Sequence, residues 1–114
     1  MSIANTPTPP YYAVIFTSVL SETLEGYDKM NRLTEEKASK YDGFLGNEYF
    51  RDENGFGIHI SYWDNLETIN LWRNDQLHRQ AKKSGMEGWY KQYKLRISKV
   101  EFDSEGNYES NMER

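Results

Sequence analysis

Two histidines and three tryptophans fall within one stretch of this chain, Ile58 to Tyr93. An imidazole has an unperturbed pKa of ~6.5, so it can take up and return a proton near neutral pH. A large flat ring beside it gives a planar ligand a surface to stack on. His59 and His78 are therefore the candidate bases, and Trp63, Trp72, Trp89 and Tyr93 the candidate walls. Asn47 and Ser61 add an amide and a hydroxyl that could fix a ligand's orientation.

Each of these residues also has a plainer use. Trp72 can anchor its helix on a sheet, and a wall residue would do that as well. His78 lies six positions on, about 120° away around a helix, where it can cap or pair with Asp75. His59 stands between Ile58 and Ile60, so it points to the other face of its strand, together with Ser61 and Trp63. That mixture suits a ligand pocket, and equally the wet interior of a barrel. Tyr90 and Tyr93 fall on opposite strand faces unless a bulge intervenes. Arg51 shares strand parity with Asn47, but its place beside the Asp52 turn predicts exposure to solvent.

The elements that must hold these groups are legible in the pattern. Tyr11–Leu20 is a strand, nearly continuously apolar at its centre, so both of its faces should be covered. Ser21 is a plausible N-cap for a helix from Thr23 to about Tyr41. Leu24, Tyr27, Met30, Leu33 and Ala38 would face inward, and Glu35, Glu36, Lys37 and Lys40 would face water. Phe44–Arg51 and Phe56–Trp63 form a hairpin around Asn54-Gly55. Asp64 with Glu67 reads as a capping box, opening one helix that runs past Trp72 and His78 and breaks at Gly85. Tyr90 to Asp103 alternates as a last strand. Residues 1–10, with Pro7, Pro9 and Pro10, read as a flexible arm, residues 11–103 as one domain, and 104–114 as a polar tail.

The order β-α-β-β-α-β is the ferredoxin-like α+β topology: an antiparallel sheet with its helices on one face. The other face is bare. The apolar first strand implies a cover for it, and a second copy of the same sheet closes the pair as a dimeric α+β barrel.

At Tyr62-Trp63-Asp64-Asn65-Leu66-Glu67, Leu71-Trp72-Arg73, Asp75…His78, Gly85 and Trp89-Tyr90…Tyr93, the chain resembles the antibiotic biosynthesis monooxygenase family. The resemblance covers roughly Tyr11 to Phe102 and implies a homodimer. It implies a cofactor-independent monooxygenase acting on a small aromatic or quinone-type compound, with His59 or His78 as base. In that chemistry a phenol is deprotonated and its carbanion-like anion is held beside dioxygen, a task that an amide, an Arg and aromatic walls suit. The family also contains many members of no known activity, so a non-catalytic ligand-binding or stress-related dimer is the alternative. Its haem-degrading branch carries a His ten residues after the helical Trp and an Asn on the first strand. Here Lys82 stands in the first position and Tyr11–Leu20 holds no Asn, which disfavours haem degradation.

Composition excludes several other classes. No Cys is present, so there is no disulfide or thiolate site, and two separated histidines make no metal cluster; no cofactor is expected. A net charge of −4 without a basic run in the sequence argues against nucleic acid. No segment approaches the ~20 apolar residues of a membrane span, and the N-terminus lacks a signal pattern, which makes the cytoplasm the expected compartment.

Overall fold

A computed structural model describes residues 2–84 and 88–107. Its elements are β1 (Tyr11–Leu20), α1 (Tyr27–Ala38), β2 (Phe44–Arg51), β3 (Phe56–Trp63), α2 (Leu66–Arg73), α3 (Gln76–Ser84) and β4 (Tyr90–Val100). The four strands are all antiparallel, in the order β2-β3-β1-β4. This is the ferredoxin-like α+β arrangement. Gly85, expected to end the second helix, lies outside the described residues, as do residues 108–114 of the expected tail.

Register decides which side chains face the helices. Phe16 pairs with His59, Val14 with Ser61 and Tyr12 with Trp63 across β1 and β3. Asn47 pairs with Ser61 and Tyr49 with His59 across β2 and β3. Paired residues share a face, so His59, Ser61 and Trp63 do lie on one side of the sheet, as strand parity requires. The core forms at one end of that side, where Val14, Ala38, Trp63 and Ile69 meet Tyr12, Tyr41, Phe44, Trp72 and Leu95. Trp63 and Ile69 are fully buried, and each such side chain contributes about 1.5–3 kcal/mol.

The helices depart from expectation at three places, each for a local reason. α1 starts at Tyr27, not Thr23. The Ser21 hydroxyl does not cap it; it donates to the Gly88 carbonyl and accepts from the Thr23 N–H. The Ser21 N–H donates to the Trp89 carbonyl at 2.7 Å, so residue 21 belongs to the join with β4. Gly26, at φ 82°, turns the chain into the helix, a conformation in which a Cβ is disfavoured. The cap of α2 is Asn65, not Asp64: its Oδ1 accepts from the Thr68 N–H at 2.8 Å and the Thr68 hydroxyl at 2.9 Å. The Asp64 N–H is occupied instead by the Gly43 carbonyl at 2.7 Å.

The single long helix expected after Asp64 is two. Asn74 leaves helical geometry at φ −94°, ψ 0°. Asp75 then starts α3, its Oδ1 accepting from the Leu77 N–H at 2.9 Å and its backbone carbonyl from the Arg79 N–H at 2.9 Å. Tyr41 holds Asp75 there, donating its hydroxyl to Oδ2 at 2.5 Å, with Lys37 Nζ 3.9 Å away. β4 ends at Val100 rather than Asp103.

The N-terminal segment touches the opposite face of the sheet. The Ala4 N–H donates to Glu48 Oε2 at 3.0 Å, and Glu48 Oε1 accepts from the Tyr62 hydroxyl at 2.8 Å. The Tyr11 hydroxyl bridges Thr6 and Asp103 at 3.1 and 2.5 Å.

Candidate functional site

Between the helix-facing side of the sheet and the helices α1, α2 and α3 lies a cavity of about 670 Å³. Its floor is strand: Val14, Phe16, Asn47, His59, Ser61 and Leu95. Its walls include Tyr27, Asn31, Thr34 and Glu35 of α1, and Trp72, Arg73 and His78 of α2 and α3. Trp89, Tyr90 and Tyr93 close the end away from the core.

Seven of the eight residues singled out in the sequence line this cavity: His59, His78, Asn47, Ser61, Trp72, Trp89 and Tyr93. Trp63 does not. It has no exposed surface and sits beneath Trp72, ring centroids 5.1 Å apart, with its Nε1 donating to Ser61 Oγ at 2.8 Å. Ser61 Oγ therefore positions Trp63 by accepting one hydrogen bond.

His59 is held by side chains of two neighbouring elements, β2 and α1. Its Nε2 lies 3.4 Å from Asn47 Nδ2 on β2 and 3.7 Å from Glu35 Oε1 on α1. Tyr49 meets its ring edge-on at 6.1 Å. With Nε2 accepting from the amide, the neutral ring keeps its proton on Nδ1. Burial first, and the Arg51 charge second, push His59 down to about 4. Burial alone pushes the Glu35 carboxyl up. Because the His59 ring is uncharged at neutral pH, the Glu35–His59 contact is not a salt bridge there.

His78 is also pushed down to about 4, chiefly by burial, with Asp75 opposing and Arg73 and Lys82 adding to the shift. Its backbone N–H donates to the Asp75 carboxylate, but its imidazole does not. It stacks on Trp72 at 4.1 Å, the outer ring of a Trp63–Trp72–His78 pile. His78 Nδ1 and Trp72 Nε1 are buried with no hydrogen-bond partner among the described residues. Native structures rarely leave such atoms orphaned, and sites that receive a ligand are a common place for them.

Arg51 is not at the solvent. Its guanidinium donates to the Gly55 carbonyl at 2.6 Å, Ser18 Oγ at 2.9 Å, the Ser18 carbonyl at 3.3 Å and the Tyr27 hydroxyl at 3.3 Å. Gly57 makes this possible, because a Cβ there would lie 2.8 Å from Arg51 Cζ. Tyr90 and Tyr93 reach the same end of the cavity through a bulge: Val19 pairs with Gln92 but Leu20 with Tyr90. Both rings pack on Phe16, at 5.2 and 5.6 Å.

Sequence reasoning turned Tyr27, Met30 and Ala38 of α1 inward but missed Asn31, Thr34 and Glu35 as cavity wall. Tyr27, Asn31, Thr34 and Ala38 recur at helical spacing and define the inner stripe, and Glu35 stands at its flank. The polar residues within that stripe were the available signal.

Comparison with family models finds no match. Among solved structures, a candidate antibiotic biosynthesis monooxygenase from Deinococcus radiodurans superposes with a TM-score of 0.63 at 17% identity, covering 85% of this chain and 96% of that one. A dimeric ferredoxin-like protein of unknown function from Thermobifida fusca gives 0.67 at 8% identity, covering 87% and 100%. The chain thus has the ferredoxin-like fold shared by antibiotic biosynthesis monooxygenases, as the sequence resemblance implied. At higher similarity, the uncharacterized protein YqjZ of Bacillus subtilis (strain 168) is 44% identical over 99 residues, spanning 87% of each chain. The chain belongs to the same family as YqjZ.

Proposed function

We propose that the chain is a cofactor-independent oxygenase of a small planar phenol or quinol, working as a homodimer. The observation that carries this reading is His59, held neutral by burial on the floor of an aromatic-walled cavity, with Asn47 and Glu35 at its Nε2. The neutral imidazole would accept a proton at Nε2, with the substrate displacing the long 3.4 Å contact from the Asn47 amide. The substrate anion formed beside it then stabilises the imidazolium in place of the water that burial removed.

The chemistry balances without an added reductant. A phenol with an acidic ring methylene loses one proton to His59. The carbanion passes its electrons to dioxygen, a C–O bond forms, and the peroxide takes up a proton. The O–O bond then breaks, the second C–H proton is lost, and water leaves. In sum, one ring methylene and one dioxygen become one ring carbonyl and one water. Trp72 and Phe16 would hold the ring plane, and the Asn47 amide would orient the oxygen substituent.

Oxygen uptake with an anthrone-type or hydroquinone substrate tests the proposal. Turnover above background is expected, with His59→Gln reducing it about 10²–10⁴-fold. Uptake at background with both substrates would sink the oxygenase reading.

A further inference from the structure

We infer that the cavity takes a planar ring bearing an anionic group, a carboxylate in the simplest case, with that group held at the edge formed by α2 and α3. This rests on the reading above that a planar compound occupies the cavity. The sequence has no basic run, yet the fold brings Arg73, Arg79, Lys82 and Lys83 to this one edge. The chain as a whole is acidic, at −4. Glu35 is the one acidic side chain among the described lining residues, and its carboxyl is pushed up by burial. None of the four cations has an ion-pair partner among the described residues.

Helix ends explain only part of this. A cation in a last turn is favoured by the helix dipole, which suits Arg73 in α2 and Lys82 and Lys83 in α3. Arg79 stands in the first turn of α3, where the dipole opposes it; no residue of that turn is acidic, and Asp75 at the helix start has its Oδ2 engaged by Tyr41, with Lys37 3.9 Å away. Arg79 also has like charges three and four residues on, at Lys82 and Lys83, on the same helical face. An anion at that face turns three mutual repulsions into shared attractions. Charges at the mouth of a low-dielectric cleft also focus the field that draws such a ligand in. The ring lies inward, on the Trp72–His78 stack.

The test compares 2-naphthol with 6-hydroxy-2-naphthoate by isothermal titration calorimetry on the whole chain. The carboxylate is expected to bind about tenfold more tightly than the neutral ring, the sum of a few exposed charge contacts. Raising NaCl to about 1 M should remove the difference, because exposed charges are then screened beyond ~3 Å. Arg79→Gln with Lys82→Gln should reduce it as well; both side chains are exposed, and the salt series on the unaltered chain does not depend on the variant folding. Equal affinities for both compounds at low salt would overturn this inference and leave the planar-ligand reading standing. Binding of neither would overturn both. Selective binding of the carboxylate, together with background oxygen uptake from the anthrone-type and hydroquinone substrates, would uphold the anion edge while removing the oxygenase.

Discussion

His59 and His78 sit in two different environments that act in the same direction. His59 faces Glu35 of α1, Asn47 and Tyr49 of β2 and the field of Arg51, while His78 lies against Trp72 with Asp75, Arg73 and Lys82 around it. Burial dominates both, and each imidazole falls from 6.5 to about 4. A lowered histidine pKa makes stability depend on acid in a definite sense. Below pH 6.5 the unfolded chain binds the protons first, and the folded chain binds them only near pH 4. The stabilisation is therefore complete above pH 6.5 and is lost as pH falls from 6.5 to 4. Glu35, whose pKa is raised, acts in the opposite sense above pH 4.5 and offsets part of the loss. For His59, with a side chain 23% exposed, the effect is on the order of 2–3 kcal/mol. Denaturant midpoints at about pH 7.5 and about pH 5 should show the wild type losing stability and His59→Gln losing distinctly less. Parallel losses in the two proteins would mean that His59 is not buried as described.

At the scale of elements, the joins carry the information that local pattern lacks. Gly26 starts α1 at φ 82°. A Cβ there would approach Trp89 only to 3.8 Å, an ordinary contact, so Gly26→Ala meets conformational strain and no clash. The expected cost is about 1 kcal/mol, with Gly26→Asn, which tolerates the left-handed region better, costing less. Thermal unfolding of the two variants checks the order; an Ala variant as stable as wild type would show that the turn is not fixed. β1, β2 and β3 were legible to the residue, because alternation and the Asn54-Gly55 turn are local signals. The start of α1 was not, because Ser21 looks like a cap until the Gly88 carbonyl, distant in sequence, takes its hydroxyl. Nor was the split of the second helix, which depends on Tyr41 reaching Asp75. The candidate site inherits both limits. Strand parity was enough to place His59 and Ser61 on one floor; Asn47 joins them through the β2–β3 register. Glu35 was assigned to water because its charge outweighed its position at the flank of the inner stripe. The cation edge is visible only once α3 turns away from α2.

The whole molecule leaves one face of its sheet unevenly covered. Near Gly46 and Glu48 the N-terminal segment lies against it: Ala4 bonds Glu48, and a Cβ on Gly46 would meet Ala4 at 3.2 Å. The hairpin end of the same face is open. Phe50 is 68% exposed, Phe56 47% and Ile58 39%. Phe50 pairs directly with Ile58 and Phe56 with Val19, so these side chains form one patch rather than scattered contacts. Contiguous apolar patches of this kind on a sheet mark an interface, and a two-fold related copy meets it with the same patch. The homodimer proposed above therefore uses the hairpin end of the sheet, with the N-terminal segment occupying the other. Phe50→Lys combined with Ile58→Lys places charges at the patch centre, where burial against a second copy becomes costly while the free chain keeps them in water. Sedimentation at about micromolar concentration should find the wild type as a dimer and the double variant as a folded monomer, its circular dichroism unchanged. A monomeric wild type would remove the homodimer from the proposal, and a variant that remains dimeric would move the interface away from this end of the sheet.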